Sequence, residues 1–173
     1  MATSDDLARA ESLIRTIADY PEPGVLFRDI TPLLADAGAL RDCIDALAEP
    51  FEGQFDVVAG VEARGFLLAG ALAIAEGVGL VPIRKAGKLP RPAASVSYSL
   101  EYGTATIEAH DDIREGARVL LVDDVLATGG TLRAAQGLIE TLGGTVVGTA
   151  VLMELDALGG RAVAGNVHTL FHA

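Results

Sequence analysis

The chain has 173 residues, the size of one compact domain, and 50% are apolar, with 5% aromatic and no tryptophan, so a sizeable core must be built from Ala, Val, Leu and Ile. A formal net charge of −11 argues against a DNA- or RNA-binding surface, which needs clustered Lys and Arg to displace counterions. The single cysteine, Cys43, excludes an intramolecular disulfide and a cysteine-based zinc site; it fits a reducing cytoplasm and a small buried hydrophobe.

The N-terminal "MATSDDLARAES" is acidic and polar, unlike a basic-then-apolar secretory leader. Leu7, Ala10, Ile14, Ile17 and Ala18 recur at helical spacing and predict an amphipathic helix over about residues 4–19. "YPEPGVLFRDITPLL" (Tyr20–Leu34) is too apolar for a linker and too interrupted by proline for a helix, so it reads as an ordered loop packed on the body. Leu40, Cys43, Ile44 and Leu47 mark a second helix. "DVVAGV" (Asp56–Val61) has the continuous apolar pattern of a strand buried on both faces. A helix over about 65–77 follows, then the strand "LVPIR" (Leu80–Arg84). The apolar stretch Gly65–Gly79 contains Glu76 and falls short of the roughly 20 residues of a membrane span, so no membrane association is expected.

From Gly87 to Glu108 the pattern changes to a Pro- and Ala-rich opening and weak alternation, which predicts a mobile loop leading into a hairpin. "RVLLVDD" (Arg118–Asp124) is another buried strand, followed by a helix over about 130–142 and the strand Thr145–Met153. Strands alternating with helices imply parallel β-α-β units, an α/β sheet covered on both faces.

"VLLVDDVLATGGT" (Val119–Thr131) places two adjacent carboxylates at the end of a buried strand, before a turn rich in Gly and Thr. In open α/β sheets ligands bind beyond the carboxyl ends of the strands. The turn enters a helix N-terminus, where free N–H groups and the helix dipole favour an anion. Gly129 and Gly130 allow close approach, Thr128 and Thr131 add hydroxyls, and Asp123 and Asp124 can accept from vicinal hydroxyls. Phosphate beside a diol describes a ribose 5-phosphate; the plainer alternative is a solvated strand end with a glycine-rich turn. No Walker loop, metalloprotease or EF-hand pattern competes. At neighbouring strand ends stand Arg64 and then Arg84, Lys85 and Lys88, a window that holds both lysines of the chain. Such groups suit a pyrophosphate, although a lone basic turn is ordinarily a solvated face.

The Asp123–Thr131 string resembles the signature for 5-phosphoribosyl-1-pyrophosphate (PRPP) in the type I phosphoribosyltransferases. "PGVLFRDITPLL", "RKAGKLP" and "YSLEYG" are similar to the adenine-using members of that family, over nearly the whole chain. The resemblance implies a single domain with a parallel sheet flanked by helices. In it a small hood (about 1–34) binds the base and a flexible catalytic loop (about 87–108) closes over the reaction. It implies Mg²⁺-dependent transfer of 5-phosphoribosyl from PRPP to adenine, giving AMP and pyrophosphate, in a cytoplasmic homodimer. Asp123, Asp124, Ala127, Thr128, Gly129, Gly130 and Thr131 would hold the ribose 5-phosphate, and Arg64, Arg84, Lys85, Lys88 and Tyr102 the pyrophosphate. Leu26, Phe27, Arg28 and Leu155 would bind adenine, and Glu101 would manage a ring proton. No direct protein ligand to the metal is implied, and the Glu62–Ala63 peptide would be cis. "RPAASV" (Arg91–Val96) departs from the usual mobile-loop sequence. His110, His168 and His172 fit no metal or triad pattern. The rivals are a 6-oxopurine substrate, which presents a different hydrogen-bonding edge, and a PRPP-sensing regulator, which would need a basic nucleic-acid face.

Overall fold

The computed structural model describes residues 2–100 and 103–173. Helix α1 (Ser4–Ser12) opens on a reciprocal cap: Thr3 Oγ1 accepts from the Asp6 N–H, and the Asp6 carboxylate accepts from the Thr3 N–H. The chain then leaves the helix. β1 (Arg15–Ala18) pairs antiparallel with β2 (Leu26–Asp29) in a two-stranded sheet. The helix expected to reach residue 19 therefore stops at Ser12. The helical spacing of Ile14, Ile17 and Ala18 lost to strand pairing, because local propensity is a weak prior against tertiary contacts. The expected loop 20–34 likewise contains β2 and most of α2 (Thr31–Ala35). α3 (Ala37–Ala48) follows, capped by Asp36, which accepts from the Ala39 N–H at 2.8 Å.

The main sheet comprises β3 (Val57–Val61), β4 (Gly79–Lys85), β5 (Ala94–Leu100), β6 (Gly103–Ala109), β7 (Arg118–Leu126), β8 (Thr145–Glu154) and β9 (His168–His172), in the order β5-β6-β4-β3-β7-β8-β9. Between them run α4 (Gly65–Glu76), α5 (Gly130–Thr141) and the single turn α6 (Arg161–Ala164). The five strands from β4 to β9 are parallel, whereas β5 and β6 form the expected hairpin and join β4 antiparallel. The sheet is thus mixed at one edge rather than wholly parallel, and β9 is a strand that the polar sequence "HTLFH" did not announce.

Both faces of the sheet are covered. On β7, Leu120 and Val122 pack with Leu47, Leu68 and Leu72 on one side, while Val119 and Leu121 pack with Leu138 and Ile139 on the other. Successive side chains of a strand point to opposite faces, so burial on both sides requires the unbroken apolar run seen in the sequence. Cys43 is buried in the first cluster, and burial pushes its thiol up to about 12. The parallel arrangement brings Val61, Lys85, Asp123 and Glu154 to the carboxyl edge of the sheet.

Candidate active site

β7 runs to Leu126, so Asp123 and Asp124 lie within the strand, and both are buried, at 8% and 7% exposure. The solvated strand end is thereby excluded. α4 closes over them: a Cβ on Gly65 would stand 2.7 Å from Asp123 Oδ1 and 3.1 Å from its Cα, so only glycine permits this approach. Asp123 Oδ1 accepts from the Asp124 N–H at 2.8 Å. Burial above all, and then the neighbouring Asp124 charge, push the Asp123 carboxyl well above the ordinary carboxylate range. Asp124 meets the Arg64 guanidinium at 2.8 Å.

Beyond the carboxylates, Ala127, Thr128 and Gly129 lead into α5. Gly129 has φ +83°, and a side chain there would collide with the Gly160 carbonyl. The first turn of a helix lacks intrahelical acceptors for its N–H groups, and here Arg133 is the first to donate back, to the Gly129 carbonyl at 3.0 Å. Thr128, Gly129, Thr131 and Leu132, at this helix start, line a cavity of about 830 Å³. Its walls include Glu62, Ala63, Arg64, Lys85, Tyr98, Asp123, Asp124, Ala127, Thr128, Gly129 and Thr131. Gly130 begins α5 beneath the Tyr98 ring, and the Tyr98 hydroxyl lies 3.0 Å from Thr131 Oγ1.

The basic residues divide. Arg64 and Lys85 line the cavity, whereas Arg84 and Lys88 do not. The Lys88 ammonium is paired with Glu62, and Arg84 Nε stands 3.5 Å from the same carboxylate. Glu62 Oε2 also accepts from the Lys85 N–H at 2.9 Å. The hydrogen bond from Lys88, foremost among these contacts, holds the Glu62 carboxyl below its usual range. Buried Glu108, on β6, accepts from the Lys88 and Leu89 N–H groups at 3.1 and 2.9 Å. The Glu62–Ala63 peptide is cis, as the resemblance implied. Sequence reasoning missed Glu62 and Tyr98 among the lining residues, and Glu108 as the anchor of the turn beside them. The one available signal was Glu108, an acid at the end of the apolar alternation "TATIEA".

A second cavity, about 190 Å³, is lined by Leu26, Phe27, Arg28 and Leu155 together with Val25, Ile30 and Met153. It shares Arg64, Asp124 and Val125 with the larger one. Tyr20 packs edge-on to Phe27 with ring centroids 5.2 Å apart. Arg28 donates to Thr16 Oγ1 at 2.6 Å. The β1–β2 sheet is pinned by Asp29, which accepts from the Thr31 hydroxyl and N–H and from Arg15; those bonds, Thr31's foremost, bring its carboxyl down to about 2.

Glu101 and Tyr102 lie outside the described residues; the strands that flank them, β5 and β6, reach the cavity through Tyr98, Thr104 and Thr106. Among the described residues, one cluster has metal-ligand spacing, Glu154, Asp156 and His172. It lines neither of these cavities. Arg161 clamps Glu154 and His172 bonds Asp156 at 2.8 Å, so an ion-pair network accounts for it.

Paired carboxylates, hydroxyls and a helix start around one cavity, set beside an apolar slot at the carboxyl edge of an open α/β sheet, define an α/β protein with a ligand site where such sheets bind their ligands. Residues 31–165 match the phosphoribosyl transferase domain family. The chain is 59% identical over 158 residues to the adenine phosphoribosyltransferase of Renibacterium salmoninarum, covering 90% of this chain and 87% of that one. Its structure resembles adenine phosphoribosyltransferase from Rhodothermus marinus, with TM-score 0.92, 49% identity, and 99% and 100% of the two chains covered. It also resembles the Saccharomyces cerevisiae enzyme, complexed with D-2,5-dideoxy-2,5-imino-altritol 1,6-bisphosphate and adenine, with TM-score 0.91, 38% identity, and 97% and 99% covered. The chain belongs to the phosphoribosyl transferase family, on its adenine phosphoribosyltransferase branch.

Proposed function

We infer that the protein transfers the 5-phosphoribosyl group of PRPP to N9 of adenine, giving AMP and pyrophosphate, a purine-salvage reaction. The observation that carries this reading is the junction of the two cavities at Arg64, Asp124 and Val125. A base in the apolar slot, a ribose over the carboxylates and a phosphate at the α5 N-terminus fall in one continuous space. The yeast relative holds adenine and a bisphosphate together.

In this reading Phe27 and Leu155 sandwich the purine, and the backbone near Leu26 and Arg28 reads its edge. Asp123 and Asp124 orient the ribose hydroxyls, and Ala127–Thr131 hold the 5-phosphate through N–H and hydroxyl donors. As the bond to pyrophosphate breaks, C1 becomes oxocarbenium-like and negative charge gathers on the leaving group. Arg64, Arg84, Lys85, Lys88 and Tyr102 stabilise that charge, and Glu101 takes up the ring proton that adenine must shed on forming the new bond at N9. Residues of about 1–34 act as the hood, and those of about 87–108 close over the reaction to exclude water.

The donor set suits Mg²⁺ arriving on the diphosphate with its waters. Asp124 is engaged by Arg64 and Glu62 by Lys88, and Mg²⁺ seldom relies on an all-protein cage. When bound, Mg²⁺ supplies neutralisation of the leaving diphosphate. A homodimer is supported by α4, whose Leu67 and Ile74 are 56% and 85% exposed, beside Leu80 at 41%. No helix of the described residues is long and apolar enough to cross a membrane, and the cytoplasm is the proposed location.

The test is a turnover assay with PRPP, Mg²⁺ and each purine in turn. Adenine should give AMP and pyrophosphate in equal amounts, and hypoxanthine, guanine and xanthine should give little. A 6-oxopurine preferred over adenine would overturn the base assignment, and no turnover with any purine would overturn the reaction.

A further inference from the structure

The cations expected to grip pyrophosphate are not all free to do so. Glu62 lines the cavity, whereas Lys88 and Arg84 stand outside its walls. The Glu62 side chain is 8% exposed, and the Lys88 side chain whose ammonium pairs with it is half exposed. Among the described residues Arg84 Nε has no hydrogen-bond partner although it is closed to solvent, and the anion it faces is Glu62, at 3.5 Å. One shielded carboxylate therefore serves as counter-anion to two cations of the leaving-group region.

We propose that Glu62 is an internal stand-in for pyrophosphate: a carboxylate that holds Lys88 and faces Arg84 until the diphosphate displaces it, and that recaptures Lys88 as the product departs. The proposal rests on the phosphoribosyl-transfer reading and adds a residue that sets the affinity for the leaving group. Its physical basis is exchange. Binding a ligand whose cationic partners are already paired gains only the difference between the new and the old pairing, so the built-in anion lowers pyrophosphate affinity and favours release. Three further hydrogen bonds fix the turn without blocking the exchange. The Lys85 N–H donates to Glu62 Oε2, and the Lys88 and Leu89 N–H groups donate to Glu108. The backbone of the turn is thus anchored while the Lys88 side chain can change partner.

Glu62→Gln removes the charge but keeps an amide oxygen for the Lys85 N–H. Titration of pyrophosphate at fixed Mg²⁺ should show binding tightened roughly twofold to fivefold, the scale of one partly exposed ion pair. AMP affinity should not change. In a Lys88→Ala background the same substitution should lose most of its effect, as a double-mutant cycle requires for coupled residues. A merely structural role for Glu62 predicts the opposite sign, so weaker or unchanged binding in the folded variant overturns the proposal. A gain that persists undiminished without Lys88 also overturns it. Should Glu62→Gln fail to fold, the carboxyl ¹³C resonance of Glu62 in the wild-type protein gives a second reading. It should shift on adding pyrophosphate and stay fixed on adding AMP; no shift with bound pyrophosphate overturns the proposal. Wild-type protein that binds no pyrophosphate would instead overturn the phosphoribosyl-transfer reading, and this inference with it.

Discussion

Asp124 holds the Arg64 guanidinium at 2.8 Å while the same group lies over the Phe27 ring, its Cζ 5.3 Å from the centroid. One side chain thereby touches both a wall of the smaller, apolar cavity and a carboxylate of the larger one. Arg64→Ala should raise KM for adenine and for PRPP together, and lower kcat/KM by roughly 10- to 100-fold, the worth of a charge-assisted contact. Arg64→Lys should recover only part of the loss, because an ammonium is a point charge without a planar face to lie on the ring. Steady-state kinetics with each substrate varied decides it. A KM effect confined to one substrate would assign Arg64 to that subsite alone.

Asp123 bears the electrostatic cost of the site. Its folded pKa is raised by burial and by Asp124, so its contribution to stability is greatest below the unfolded value of about 3.9 and is lost as pH rises through the folded value. Asp123→Asn retains an acceptor for the Asp124 N–H and removes the buried charge. It should raise Tm near neutral pH, by about 2–4 °C per kcal/mol released, with the gain shrinking towards pH 4, while PRPP turnover falls by orders of magnitude. A lower Tm at neutral pH would refute this account of the carboxylate pair.

Asp29 works in the other direction. Thr31 foremost, and then Arg15, bring its carboxyl down to about 2, so the pinning of β1–β2 is present above about pH 4 and is lost as pH falls towards 2. Asp29→Asn should flatten part of the acid limb of the stability curve in that window; Asp56, also held near 2 by Arg118, keeps the remainder. Adenine KM should rise several-fold with little change for PRPP, because the slot's Leu26, Phe27 and Arg28 belong to the same strand as Asp29. Equal effects on both substrates would show a general loss of structure instead.

Glu101→Gln keeps size and removes proton acceptance. kcat should fall by roughly 10²–10⁴-fold, the range for general acid–base catalysis, while PRPP affinity holds. Normal kcat with a raised adenine KM would make Glu101 a binding group only.

Ile74, at 85% exposure on α4, tests the homodimer. Ile74→Glu places a charge on the exposed apolar face of α4 and, if that face is the dimer interface, should halve the mass in sedimentation. An unchanged dimer would place the interface elsewhere.

The amino-acid sequence alone determined the features that depend on near neighbours. The apolar runs of β3 and β7 announced strands buried on both faces, and the spacing of Leu40, Cys43, Ile44 and Leu47 announced α3. The loop from Asp123 to Thr131 was legible because its carboxylates, hydroxyls and helix start are contiguous in the chain. Where periodicity was ambiguous, the reading failed: Ile14, Ile17 and Ala18 fit a helix, yet 15–18 pair with β2 across a turn whose partner no local pattern names. β9 was silent because an edge strand needs little apolar sequence when β8 supplies its hydrogen bonds. Burial of Asp123 and Asp124 was likewise invisible, since it depends on Gly65 bringing α4 against β7. Only the tertiary structure put Glu62 against Lys88, 26 residues on, and Tyr98 against Thr131, 33 residues on. Such contacts follow from strand order in the sheet, and strand order is set by the packing of the whole core rather than by any short stretch of chain.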